Sequence, residues 1–214
     1  MVGPSPPFSE EAAAKTDAVT DKQAAAEKQA LRSRLRAARR AHVEGLDPRT
    51  RALLFRRPPA PLLDLIPANA VIGVYNAGRW EAPAASYAAF FHEAGHAVAL
   101  PWFATREAPM QFRQWQVPPL EEDLEADPWG VKQPPAHAPE MTPDVLFVPL
   151  VGFTAQGARL GQGGGHYDRW FSANPGATAI GMGWDAQCVD ALPHEAHDHP
   201  LRAVVTPTRL YGPF

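Results

Sequence analysis

Apolar residues recur along this chain at helical, alternating and continuous spacings, and each spacing predicts a different element. Over about residues 21–42, Ala-rich sequence places Leu31 and Leu35 one turn apart. This predicts a long helix, with Thr20 or Asp21 as its N-cap and Gly45 and Pro48 ending it. A second amphipathic helix is expected over about residues 48–64. A third is expected over about residues 83–94, with Tyr87, Phe90 and Phe91 on its buried side. Continuous apolar runs at 70–75, 96–102, 144–151, 177–183 and 201–206 read as strands buried on both faces. Residues 109–115 alternate instead, which puts Met110 and Phe112 on one face and Trp115 on the other. The alternation of strands and helices implies an α/β fold, a single three-layer α/β/α domain with a mainly parallel sheet. That domain is expected over residues 21–214. Residues 1–20, rich in Pro, Ala, Ser and Glu without apolar period, are expected to form a disordered N-terminal extension.

Composition narrows the picture only modestly. At 214 residues, 45% hydrophobic and net −3, the chain is long enough for one sizeable core and carries no polyanion-binding excess of positive charge. The one cysteine, Cys188, excludes an internal disulfide framework and suits a reducing compartment. No apolar run approaches the roughly 20 residues of a membrane span, and no secretory signal is expected.

The densest chemistry lies in Arg159-Leu-Gly-Gln-Gly-Gly-Gly-His-Tyr-Asp-Arg169, between the apolar run 144–151 and a helix whose first turn is expected at Asp168. Gly161, Gly163, Gly164 and Gly165 free the backbone to turn at positive φ and to approach a ligand without Cβ atoms in the way. The helix start that follows would aim its free N–H groups and positive dipole end at the same place. A glycine-rich turn can also merely reverse the chain. Flanking charges favour an anion: Arg159 and Arg169 supply cations for phosphate oxygens, and Asp168 a carboxylate able to hold Mg²⁺. No Lys-Ser/Thr follows the glycines and no G-x-G-x-x-G opens a first βαβ unit, which excludes two familiar nucleotide-binding loops.

Together with Val148-Pro-Leu-Val-Gly-Phe153 before it, this run resembles the signature of the 5-formyltetrahydrofolate cyclo-ligases, also called methenyltetrahydrofolate synthetases. The resemblance covers about residues 28–211. It implies that ATP and Mg²⁺ are used to close 5-formyltetrahydrofolate to 5,10-methenyltetrahydrofolate. Lys28-Gln-Ala-Leu-Arg32 matches the family's N-terminal K-x-x-L-R helix, whose Lys and Arg reach ATP. The implied ATP site is Lys28, Arg32, Arg159, Gly161, Gln162, Gly163, Gly164, Gly165, His166, Tyr167 and Arg169. Glu81, with Asn76 near it, is implied to bind the folate, while Met110, Phe112 and Trp115 lie near its pterin and Tyr167 contacts substrate or nucleotide. Arg159, Tyr167 and Asp168 are the implied catalytic residues, and Asp168 with Asp198 the implied metal ligands. Two departures stand out: Ala84 replaces a Thr three residues after the family's glutamate, and Gln133 replaces a Glu in the Trp129–Pro135 stretch. The implied partners are ATP and 5-formyltetrahydrofolate, including polyglutamylated forms. The protein is then expected to be a cytoplasmic monomer that binds neither nucleic acid nor membrane.

Two other readings rest on local sequence. His92-Glu-Ala-Gly-His96 satisfies H-E-x-x-H, the pattern of zinc peptidases, but that chemistry needs one helix through both histidines. Gly95 is better read as the residue that stops the helix before the strand at 96–102. The basic run 28–40 could be a solvated face or part of a nucleotide- or RNA-binding module without catalysis. His194, His197, Asp198 and His199 read as a solvated loop, and residues 121–127 as a solvated acidic segment.

Overall fold

The computed structural model describes residues 8–193 and 199–214, with side chains from residue 26 onward. The first helix, α1 (Phe8–Gly45), begins within the segment expected to be disordered. The single helix expected over 48–64 is two short ones, α2 (Pro48–Leu53) and α3 (Ala60–Leu63). Asp47 caps α2 by accepting from the Thr50 N–H at 2.9 Å, and Pro48 occupies its first turn. Between the two helices Leu54 is extended and Phe55 takes φ 55°, and then Pro58 and Pro59 remove two backbone donors. Amphipathic spacing carried through the break, and prolines decided it.

The strand β1 (Ile72–Gly73) leads through α4 (Ala85–Glu93) to β2 (Val98–Trp102) and β3 (Gln111–Gln114). A hairpin of β4 (Glu125–Ala126) and β5 (Lys132–Gln133) follows, then β6 (Glu140–Met141) and β7 (Val145–Pro149). Next come a second hairpin, β8 (Gly152–Phe153) with β9 (Arg159–Leu160), and the helix α5 (His166–Ala173). The chain closes with β10 (Thr178–Met182), β11 (Ala203–Val205) and β12 (Leu210–Tyr211).

Eight strands form one sheet in the order β12-β11-β10-β7-β1-β2-β3-β6. The five from β11 to β2 are parallel, and antiparallel strands flank them, so the sheet is mainly parallel as expected. Successive residues of β7 point to opposite faces: Val145 and Phe147 join one core with Tyr87, Phe91 and Trp184, while Leu146 and Val148 join another with Phe112, Trp170 and Phe171. Met110 and Phe112 therefore fall on one side and Trp115 on the other, as their alternation predicts.

Close packing at the sheet centre depends on Gly73, where an added Cβ would sit 2.2 Å from Leu146 Cδ1 and 2.9 Å from Pro143 Cγ. Gly73→Ala is expected to destabilise the fold by about 1–3 kcal/mol. Denaturant unfolding reads this directly, and an unchanged midpoint would mean that Leu146 repacks freely.

The connections locate a crevice. From β1 the chain moves to β2 on one side, yet β7 pairs with β1 on the other, so the order reverses between β1 and β7. Ligands of open α/β sheets bind outside the carboxyl ends of strands at such a switch point. The loop after β1 carries Glu81, and the chain after β7 runs through the β8–β9 hairpin into the glycine run.

Candidate active site

The glycine run joins β9 to α5. Gly165 holds φ 63° at the N-cap of α5, and Gly163 holds φ 102°. Both conformations are accessible to glycine and costly for other residues. The helix starts at His166, so Asp168 falls in its first turn, where a carboxylate suits the positive end of the dipole. Asp168 is ion-paired with Arg159 of β9, whose side chain is buried.

α1 lies along the loop and presents more cations than the sequence reading named. Lys28 is buried beside the loop, and Arg32 Nε donates to the Gly161 carbonyl at 3.0 Å. One turn on, Arg36 donates to Gln162 three times: Nε to Oε1 at 3.1 Å, and Nη2 to Oε1 at 2.8 Å and to the backbone oxygen at 3.0 Å. Arg39, also buried, reaches Leu150 and Glu81. Positions 28, 32, 36 and 39 fall on one helical stripe at i, i+4, i+8 and i+11, a spacing visible in the sequence but masked by the further basic residues Arg34 and Arg40. Lys28, Arg32, Arg159 and the loop from Gly161 to Asp168 enclose a cavity of about 260 Å³.

Glu81 meets this cavity's wall through Gln162. Its Oε2 accepts from the Gly78 N–H at 2.9 Å, and its Oε1 from Gln162 Nε2 at 2.8 Å, so the loop after β1 and the glycine loop touch directly. Burial, and then the Glu81 charge, push the Tyr75 and Tyr167 phenols well above their ordinary range, which keeps both protonated. The Tyr75 hydroxyl donates to the Ala82 carbonyl at 2.5 Å. Asn76 is turned aside, donating to the Lys132 carbonyl at 3.2 Å.

The remaining expected residues divide. Met110 and Phe112 line a cavity of about 300 Å³ shared with His166 and Arg169, on the flank of α5. Trp115 borders a separate cavity of about 370 Å³ with Leu120 and Leu124 and is not brought to the glycine loop. Phe103 and Trp129, not named from sequence, stand edge-on to His166 with ring centroids at 5.1 Å and 5.9 Å. Asp198, His194 and His197 lie outside the described residues. Gln133 is buried and pairs with the backbone of Phe103 at both ends, Oε1 accepting at 2.8 Å and Nε2 donating at 3.2 Å. An ionised glutamate has no hydrogen to donate in that second bond, which gives the departure at Gln133 a structural reason. Ala84 is fully buried where the chain enters α4 and packs in the core.

The H-E-x-x-H stretch is split as expected. α4 ends at Glu93, and Gly95 takes φ 92° with its N–H donating to His92 and that of His96 to Phe91, a paired helix stop. His92 is exposed on the helix, whereas His96 Nδ1 contacts the Ala70 carbonyl at 2.8 Å.

For Mg²⁺, Asp168 offers one carboxylate beside the cavity of the glycine loop, and no group of three or more His, Cys, Asp or Glu able to hold a metal ion exists among the described residues. That donor set fits an ion held chiefly by phosphate oxygens and water.

Burial lowers the pKa of both His166 and His199, helped by Arg169 and Arg159 respectively, while Asp168 opposes the shift at His199. A folded value below the unfolded one means that the neutral rings' contribution is complete above about pH 6.5 and is lost as pH falls through the folded value. The melting temperature is therefore expected to fall on acidification below pH 6.5, and less steeply in His166→Gln. A parallel decline in both proteins would remove His166 from that account.

A family model, the 5-formyltetrahydrofolate cyclo-ligase family, matches residues 24–207. The 5-formyltetrahydrofolate cyclo-ligase of Escherichia coli (strain K12) is 46% identical over 74 residues, 32% of this chain and 38% of that protein. Its namesake from Mycolicibacterium smegmatis is 36% identical over 94 residues, 40% of this chain and 47% of that protein. The matched stretches thus span less than half the length of these curated relatives. Among solved structures, a 5,10-methenyltetrahydrofolate synthetase from Aquifex aeolicus aligns with TM-score 0.66 at 20% identity, over 87% of this chain and 92% of that one. One from Mycoplasma pneumoniae aligns with TM-score 0.57 at 19% identity, over 83% and 96%. At these identities the structural likeness speaks for the fold.

Proposed function

The chain belongs to the 5-formyltetrahydrofolate cyclo-ligase family, and from that premise we propose that it closes 5-formyltetrahydrofolate to 5,10-methenyltetrahydrofolate with conversion of ATP to ADP and phosphate. One observation carries the reading. A glycine loop backed by Lys28, Arg32 and Arg159 meets, through Gln162, a carboxylate on the neighbouring strand's loop. The first half suits a triphosphate and the second a heterocycle rich in N–H donors, and they share one crevice.

A formamide oxygen is a poor leaving group, and phosphorylation corrects that. In this reading the formyl oxygen attacks the γ-phosphorus and ADP departs. N10 then attacks the activated carbon, the carbon–oxygen bond to phosphate breaks, and the N10 proton passes to the departing phosphate or solvent. Little covalent help is required, so positioning and charge stabilisation dominate. Lys28, Arg32 and Arg159 would hold the phosphates against the glycine amides. Mg²⁺, entering with the nucleotide and held by Asp168, would supply neutralisation of charge on the phosphate oxygens. Glu81 would accept from the pterin N–H groups, with the protonated Tyr167 phenol as a donor beside it.

Mixing the protein with 5-formyltetrahydrofolate and Mg-ATP is expected to raise absorbance in the methenyl-folate band, and omission of ATP to abolish the rise. No rise while ATP still binds would overturn the acceptor assignment and leave only the phosphate site.

A further inference from the structure

We propose that Arg39 is a positioning residue for this reaction, acting through Glu81. The inference rests on the reading of Glu81 as the carboxylate that takes the acceptor. Arg39 is 7% exposed and projects from α1 between the two substrate-side loops. Its Nη1 lies 3.3 Å from the Leu150 carbonyl and 3.5 Å from Glu81 Oε1, while its Nε is sealed from solvent with no partner among the described residues.

A guanidinium buried with a donor unsatisfied is a poor way to fill a core, because an apolar side chain of similar volume would avoid the desolvation penalty. What Arg39 supplies instead is charge at a fixed place. The Leu150 oxygen that anchors it is also held by Gln187 Nε2 at 2.5 Å, so the guanidinium is tied to the chain leaving β7. From there it faces Oε1, the same oxygen that Gln162 caps at 2.8 Å. An acceptor with N–H groups competes with the Gln162 amide for that oxygen. Gln162 stays tied to Arg36 through its backbone oxygen when its amide yields, and Arg39 keeps the carboxylate aimed while its outer partner changes. The long 3.5 Å approach suits this task, since the attraction survives a small shift of the carboxylate that a short bond would oppose.

The test is a double-mutant cycle on the full chain, with 5-formyltetrahydrofolate and ATP as the probes. Arg39→Gln is expected to raise KM and the calorimetric Kd for 5-formyltetrahydrofolate about tenfold, a loss fitting one charge-assisted contact. KM for ATP should stay within about twofold, and Arg39→Lys should recover part of the loss. In a Glu81→Gln background, Arg39→Gln should add less than about twofold, because its route of action is gone. If Arg39→Gln fails to fold, Arg39→Lys takes its place in the cycle. Additive effects, or equal rises in both KM values, would overturn the assignment and leave Arg39 a core residue. A wild-type protein that binds ATP but not the folate would overturn the functional reading, and this inference with it.

Discussion

Asp168→Asn is expected to lower kcat/KM about 100- to 1000-fold while shifting the melting temperature by only a few degrees. The amide has nearly the carboxylate's shape but neither its charge nor its affinity for Mg²⁺, and the side chain faces the cavity backed by Lys28, Arg32 and Arg159. Stability suffers less. Arg159 loses a counter-charge, but the Asp168 side chain is 21% exposed and an amide oxygen still accepts from the guanidinium. The cost should be about 1–2 kcal/mol, below the 3–5 of a wholly buried pair. Steady-state kinetics and a thermal melt on one preparation decide the matter. An activity loss no larger than the unfolded fraction explains would reduce Asp168 to a structural anchor for Arg159.

Gly163→Ala should act on the nucleotide rather than on the chemistry. At φ 102° an alanine is strained wherever its methyl points, and here that methyl would lie 3.3 Å from Arg32 Cζ. The loop can relax only by moving its backbone, which carries the amides proposed to meet phosphate and the Gly161 carbonyl that holds Arg32. We expect KM for ATP to rise about 10- to 100-fold, with stability lower by about 1–3 kcal/mol. KM for 5-formyltetrahydrofolate should change far less, and an equal change in both would show that the loop serves the whole crevice rather than the phosphates.

The parallel strands were legible because each is a run of apolar residues too short for a helix, and the turn into α5 because glycines readily take the positive φ that Gly163 and Gly165 adopt. Where reading failed, the signal was weak or ambiguous. Two-residue strands such as β6, β8 and β12 carry no measurable period. The break between α2 and α3 lay in Pro58 and Pro59, against an amphipathic pattern that ran past them. Within the site, Lys28 and Arg32 could be named from the family resemblance, but Arg36 and Arg39 looked like two more solvated cations among many. A buried arginine cannot be told from an exposed one until something is known of what the helix lies against. Glu81 was named by position, but its pairing with Gln162 joins residues 81 positions apart, and no local pattern encodes that.

That distance has a consequence for how the protein is made. Arg32 and Arg36 meet partners 129 and 126 residues further along the chain. During synthesis α1 leaves the ribosome with its row of cations long before the segment that will answer them exists. Closing such spans is entropically slow, and little of the crevice forms until the glycine loop has been translated and docked. Affinity for nucleotide should therefore arise late and in a single step, so a chain stalled anywhere short of β9 would carry half a site and bind neither substrate.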